Sequence, residues 1–194
     1  MKKIYLKRQV FPVTIANIIT IIRFVFIFPI IYFISYEQWN YAIIFFITAI
    51  ITDFVDGTVA RIRNECTHIG ALLDAGTDKF LIMSIFFVFM HLHDYLLHIP
   101  SWLYYFIFFK EGIQMLLTIF LYLYMPYVEI KPRLLGKITM LLYSFFIFVL
   151  LESILYGYCK AYINTLCWVL FICGFLALCD YAIFYTRLII MKQK

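Results

Sequence analysis

Charge is what this chain has least of. Asp, Glu, Lys and Arg make up 14% of its 194 residues, whereas 65% are hydrophobic. A water-soluble domain is nearer a quarter charged and half apolar. The imbalance excludes a soluble globular domain and points to a polytopic membrane protein, with one domain sufficient for the length. No basic stripe with interleaved aromatics stands on a polar segment, so the net charge of +5 does not signal a nucleic-acid partner. The five cysteines, Cys66, Cys159, Cys167, Cys173 and Cys179, form no C-x-x-C pair, which leaves buried free thiols as the reading. The first apolar run lacks a small-residue cleavage site and reads as a retained span.

What fills the chain instead is a series of apolar runs, each about the 20 residues that a helix needs to cross roughly 30 Å of hydrocarbon. They cover residues 14–34, 39–62, 70–90, 101–124, 136–156 and 161–190. The expected fold is all-α, a polytopic membrane protein of six transmembrane helices. Residues 1–13, MKKIYLKRQVFPV, mix four basic residues with apolar ones. They read either as a short amphipathic helix on an anionic membrane surface or as a basic tail that only fixes topology. The domain division is therefore a basic interfacial segment at 1–13 and a six-helix domain at 14–190.

With six spans, the N-terminus, the 61–69 loop, the 127–137 loop and the C-terminus share one side. That side carries nearly all the loop Lys and Arg, and the other has Lys160. The positive-inside rule makes the first side cytoplasmic.

The stretch from Asp53 to Lys79 breaks the apolar pattern with four aspartates, three glycines and three Lys or Arg residues. Asp53 and Asp56 are three apart, Asp74 and Asp78 four apart, so on helices each pair shares a face. Residues 53, 56, 57 and 60 occupy positions that would ordinarily be an apolar packing stripe, yet they are acidic and small. The acids hang from the end of one predicted helix and the start of the next. Four carboxylates gathered near a membrane repel one another unless cations lie between them. Hard divalent ions bound through oxygen are the simplest answer, and a pair of them suits an in-line displacement at phosphorus. Pairing with Arg61, Arg63, Lys79 or Lys110, or an ion path, would also account for the acids. Their clustering at one membrane face disfavours a conducting or non-catalytic protein. The segment His91-Leu92-His93-Asp94 also has metal-ligand residue types, but it falls on the opposite side.

The spacing D-x-x-D-G-x-x-A-R, eight residues, then G-x-x-x-D-x-x-x-D is filled by Asp53, Asp56, Gly57, Ala60, Arg61, Gly70, Asp74 and Asp78. It resembles the signature of the CDP-alcohol phosphatidyltransferase family. The resemblance implies transfer of a phosphatidyl group from CDP-diacylglycerol to an alcohol, with release of CMP. It implies Asp53, Asp56, Asp74 and Asp78 as ligands of Mg²⁺ or Mn²⁺, two ions in all, with Asp78 as the catalytic base. Asp56, Gly57, Ala60, Arg61 and Gly70 would form the CDP-binding surface, and the protein would be a homodimer in a bacterial inner membrane with its site facing the cytoplasm.

The opening N-x-x-T-x-x-R, here Asn17, Thr20 and Arg23, resembles the phosphatidylglycerophosphate synthase branch, whose acceptor is glycerol 3-phosphate. That branch implies a supporting role for the three residues, although Arg23 could instead snorkel to the headgroups. The branch usually reads L-D-P-x-A-D-K, whereas here Ala75 and Thr77 stand at the Pro and Ala positions. Cardiolipin, phosphatidylserine and phosphatidylinositol-phosphate synthases are the alternatives within the family. A phosphorylated acceptor needs a cationic pocket, for which Lys110, Arg133 and Lys137 are candidates. Lys110 and Glu111 lie within a span and need pairing or water; Arg133 and Lys137 could equally serve topology alone.

Overall fold

The computed structural model describes the backbone of residues 15–62, 68–92, 99–124, 133–157 and 160–192, and the side chains of 20–53, 76–91, 99–120, 133–157 and 162–186. The expected interfacial segment at 1–13 lies outside the described residues. The described chain is helical throughout, in six helices: α1 (Ile15–Ser35), α2 (Trp39–Ile62), α3 (His68–Leu92), α4 (Ser101–Tyr124), α5 (Leu134–Tyr156) and α6 (Lys160–Lys192).

The boundaries fall close to those expected from the apolar runs. α3 begins at His68 rather than Gly70, and α5 at Leu134 rather than Gly136. In both cases the extra residues carry no helix breaker. Ser101–Phe120, Leu134–Tyr156 and Tyr162–Thr186 are long and apolar enough to cross a membrane, and Thr20–Ser35 and Trp39–Asp53 are shorter apolar helices.

The chain divides into two compact units, residues 1–85 and 86–194. The first is built on a hairpin of α1 and α2. On α1 the buried residues are Thr20, Arg23, Ile27, Ile30 and Ile34, recurring at the three- and four-residue steps of one helix face. The stripe is polar at one end and apolar for the rest. Ala42, Ile43, Phe46 and Ala49 supply the buried residues of α2. Phe33 stacks between the hairpin arms, 5.3 Å from both the Tyr41 and Phe45 rings.

The turn between them is short. Glu37 adopts a left-handed φ of 58°, and the Tyr36, Glu37 and Gln38 amides donate to the carbonyls of Tyr32, Ile34 and Phe33, satisfying the last turn of α1. Edge-on packing of Phe24 against Phe80, 6.4 Å apart, joins α1 to α3.

The second unit has a ring-rich core. Phe86 packs against Tyr104, Tyr143 and Phe146, with centroids 6.1–6.2 Å away. Against α6 lie α4 and α5. At two positions glycine permits that approach: a Cβ on Gly136 would meet the Tyr181 hydroxyl at 2.8 Å, and one on Gly174 would meet Phe106 Cε1 at 2.8 Å. α5 ends at Gly157, whose left-handed φ of 74° lets its amide donate to the Ser153 carbonyl. Cys167, Cys173 and Cys179 are free thiols on α6; Cys167 is buried as expected, whereas Cys173 and Cys179 are partly exposed.

Large apolar side chains stay exposed along both units, among them Phe28, Ile44, Phe109, Leu141, Phe145 and Ile172. Such surface needs lipid to cover it. The protein is a membrane protein, and these are the faces its helices offer to hydrocarbon.

Candidate active site

Three helices of the first unit bring charge to one place. Arg23 on α1 is 1% exposed, and its Nη1 lies 2.8 Å from Asp53 Oδ1 on α2 and 2.6 Å from Asp78 Oδ1 on α3. Both aspartates are partly exposed while the arginine is enclosed. Thr20, one turn before Arg23, is buried on the same face, and Thr77 and Lys79 flank Asp78 and are buried too. The snorkelling alternative for Arg23 is therefore excluded, because the side chain turns into the protein.

The two acids lie in the closing turns of α2 and the opening turns of α3, as expected. Nine residues of helix follow Asp53 and ten precede Asp78, which sets them about 14 Å in along each helix at 1.5 Å per residue. The helices run on through the polar residues of the motif, α2 to Ile62 as the apolar run predicts.

Asp56, Gly57, Ala60 and Arg61 lie in the last two turns of α2, and Gly70 and Asp74 in the first two of α3. Their side chains, and that of Asn17 on α1, lie outside the described residues. Of the four acids, Asp53 and Asp78 are thus the pair that the structure brings together. Their Oδ1 atoms cannot be farther apart than the two bonds to Arg23 laid end to end. The cation described on both oxygens is Arg23; among the described residues no three Asp, Glu, His or Cys side chains gather into a metal-holding group.

The three candidates for an acceptor phosphate lie in the second unit. Lys110 is buried on α4 and pairs with the adjacent, buried Glu111. Its Nζ also sits 5.2 Å from the Tyr143 ring centroid. Pairing is what the sequence demanded of these two charges. Beside Lys110 a cavity of about 60 Å³ opens between α4 and α6, lined also by Gln114, Leu178 and Tyr181. Arg133, which precedes α5, donates from Nε to Asp180 Oδ2 at 2.7 Å and from Nη2 to Oδ1, a two-pronged grip. That bond holds the guanidinium even more firmly protonated than usual. Lys137, one turn into α5, is exposed.

Asp180 escapes the sequence reading. The signal was present, since a lone acid in the run ALCDYAIF is costly without a partner. His91 stacks on Phe87 at 4.2 Å within α3, and His93 and Asp94 lie outside the described residues.

The family model for CDP-alcohol phosphatidyltransferase matches residues 13–176, most of the chain. The chain belongs to the CDP-alcohol phosphatidyltransferase family. Among curated relatives of this family member, a CDP-diacylglycerol--glycerol-3-phosphate 3-phosphatidyltransferase of Wigglesworthia glossinidia brevipalpis is 31% identical over 91 residues, covering 45% of this chain and 50% of the relative. Proteins of Mycobacterium bovis and Mycobacterium tuberculosis, named as candidate cardiolipin synthases, are 30% identical over 79 residues, covering 39% of this chain and 37% of theirs. The phosphatidyltransferase-family chain thus spans about half the length of the first relative and little more than a third of the others.

Proposed function

We propose that this chain transfers a phosphatidyl group from CDP-diacylglycerol to glycerol 3-phosphate and releases CMP. The observation that carries the proposal is the meeting of Asp53 and Asp78 at Arg23, inside a stretch that matches the family signature at all eight positions. The glycerol 3-phosphate acceptor draws support from the Wigglesworthia relative and from the N-x-x-T-x-x-R opening.

In this reading the acceptor hydroxyl oxygen attacks the lipid-linked phosphorus, and Asp78 takes its proton. The new P–O bond forms as the bond to CMP breaks, and CMP leaves with the electron pair. Asp78 suits the part because its carboxylate is fixed through Oδ1 by a buried arginine. Asp53, Asp56, Asp74 and Asp78 would hold two Mg²⁺ or Mn²⁺ ions, which when bound supply positive charge at the diphosphate. Gly57, Ala60, Arg61 and Gly70 would receive the CDP moiety, where small residues let a ligand approach the backbone closely. Asn17, Thr20 and Arg23 support the acids from α1.

Lys110, Arg133 and Lys137 would face the acceptor's phosphate. Arg133 already grips Asp180, so it takes part only by exchanging one anion for another.

The same reading places six helices across a bacterial inner membrane, residues 14–190 forming the catalytic domain and 1–13 resting on the membrane surface. The site opens to the cytoplasm, where the basic loops lie, and two copies form a homodimer. A cardiolipin synthase is the second reading, favoured by the mycobacterial relatives.

Purified protein given CDP-diacylglycerol, Mg²⁺ or Mn²⁺ and one alcohol at a time decides between them. CMP release with glycerol 3-phosphate supports the first reading, and release only with phosphatidylglycerol moves the assignment to the second. Folded protein that releases none with any acceptor sinks both.

A further inference from the structure

We propose that Arg23 is a built-in counter-cation of the acidic cluster: a positioning residue that holds Asp53 and Asp78 together without metal, and that a divalent ion must compete with on entering. The inference rests on the reading above that the cluster takes divalent ions.

A guanidinium 1% exposed has left water almost completely, and it cannot shed its charge by losing a proton. It needs anions, and its sequence neighbours supply none. The anions come from 30 and 55 residues away, one on each of the other two helices of the unit. A single nitrogen, Nη1, reaches both carboxylates. Two carboxylates so close repel strongly unless a cation lies between them, and Arg23 is such a cation.

Its position is fixed by packing. The buried stripe from Thr20 to Ile34 seats α1 in the hairpin with α2, and Phe24 packs on Phe80, two residues past Asp78. The enclosed arginine and the partly exposed aspartates also define sides. Arg23 bridges the carboxylates from their enclosed side, which leaves their exposed side to an ion from solution. Such an ion meets two donors whose charge is already partly spent, and it feels the repulsion of a fixed positive neighbour. Arg23 thereby weakens cation binding while keeping the donors in place.

Manganese affinity separates this from a purely structural role. The full chain in detergent is titrated with Mn²⁺ alone and read by electron paramagnetic resonance, as wild type, R23K and R23Q. Removal of the charge in R23Q should tighten Mn²⁺ binding about tenfold, the size of a unit charge acting on a divalent ion at about 5 Å even with water-like screening. R23K keeps the charge and should stay close to wild type. Unchanged or weaker binding in a folded R23Q overturns the proposal. Wild type that takes up no Mn²⁺ overturns the metal reading itself, which is a different result.

Should R23Q fail to fold, the unmodified protein still answers. The ¹⁵Nη resonances of Arg23, assigned by their loss in R23K, should shift when Mg²⁺ is added. Resonances that stay put as the site fills would overturn the competition.

Discussion

Arg133 and Asp180, 47 residues apart, form a fork-to-carboxylate pair that ties the start of α5 to α6. Arg133 also lies over the Phe184 ring, 5.1 Å from its centroid, so the guanidinium is held from two directions. Two parallel bonds of this kind require a planar donor. R133K and D180N should therefore each lower the thermal midpoint in detergent. R133K keeps the charge but loses the fork, and it should not behave as wild type. Equal midpoints across the three proteins would show that the pair contributes nothing to the fold.

Asp78 is assigned as the base, so Asp78→Asn should reduce turnover by about 10²–10⁴-fold, the usual contribution of a positioned proton acceptor. Binding of CDP-diacylglycerol should persist, because the amide retains an oxygen and three acids remain. The check is CMP release beside equilibrium binding of the nucleotide lipid. Turnover near wild type would remove Asp78 from the mechanism.

Lys137 is exposed and leaves the core untouched. Lys137→Ala should raise KM for glycerol 3-phosphate more than KM for CDP-diacylglycerol, with the thermal midpoint unchanged. An equal rise in both KM values would argue against a place beside the acceptor phosphate.

Lys110 and Glu111 are almost entirely enclosed. Removing one member of a buried pair strands the other, and Glu111→Leu should cost about 3–5 kcal/mol. Replacing both charges, Lys110→Met with Glu111→Leu, should recover part of that loss. A double-mutant cycle in chemical denaturation measures it.

Two glycines offer a matched comparison. At Gly174 a methyl group would press on Phe106 at 2.8 Å and on the Tyr143 hydroxyl at 3.1 Å, and Phe106 is itself packed against Phe171. Gly174→Ala should destabilise by about 1–3 kcal/mol, since the ring has nowhere to withdraw. Gly112, on α4, has nothing within 4 Å of its would-be Cβ. Gly112→Ala should stabilise by up to about 1 kcal/mol through the helix preference for alanine. Thermal unfolding of the two variants side by side checks both signs.

The helices were legible because hydrocarbon thickness dictates run length, and the charged Glu37 and the helix breakers Pro100 and Gly157 mark the breaks. The acids were legible because three- and four-residue spacing on a helix is a geometric statement. Their partner was legible only as a supporting residue, Arg23 of the N-x-x-T-x-x-R opening; that it bridges two of the acids was not. Arg61, Arg63, Lys79 and Lys110 are nearer in sequence to one or both acids, yet the described bridge comes from Arg23, which the hairpin delivers. Pairing across tens of residues depends on how helices pack, and no local pattern carries it. Asp180 went unread for a related reason: its meaning lies in Arg133, on another helix. Phe106 under Gly174 is likewise a fact of packing, invisible in the run that contains either residue.

The tight bend at Tyr36–Gln38 has a metric consequence. From Ser35 back to Arg23 is twelve residues, and from Trp39 on to Asp53 is fourteen, or about 18 Å and about 21 Å of helix. Arginine and aspartate finish level because the two arms have nearly the same length. Deleting one residue from either arm would shift its charge by about 1.5 Å and swing it by about 100° around the axis, out of register with its mate. Lengthening the bend itself leaves both arms as they are. Tolerance to insertion and deletion along this hairpin should therefore follow position within a few residues, in the manner of a gauge whose graduations are fixed and whose handle is not.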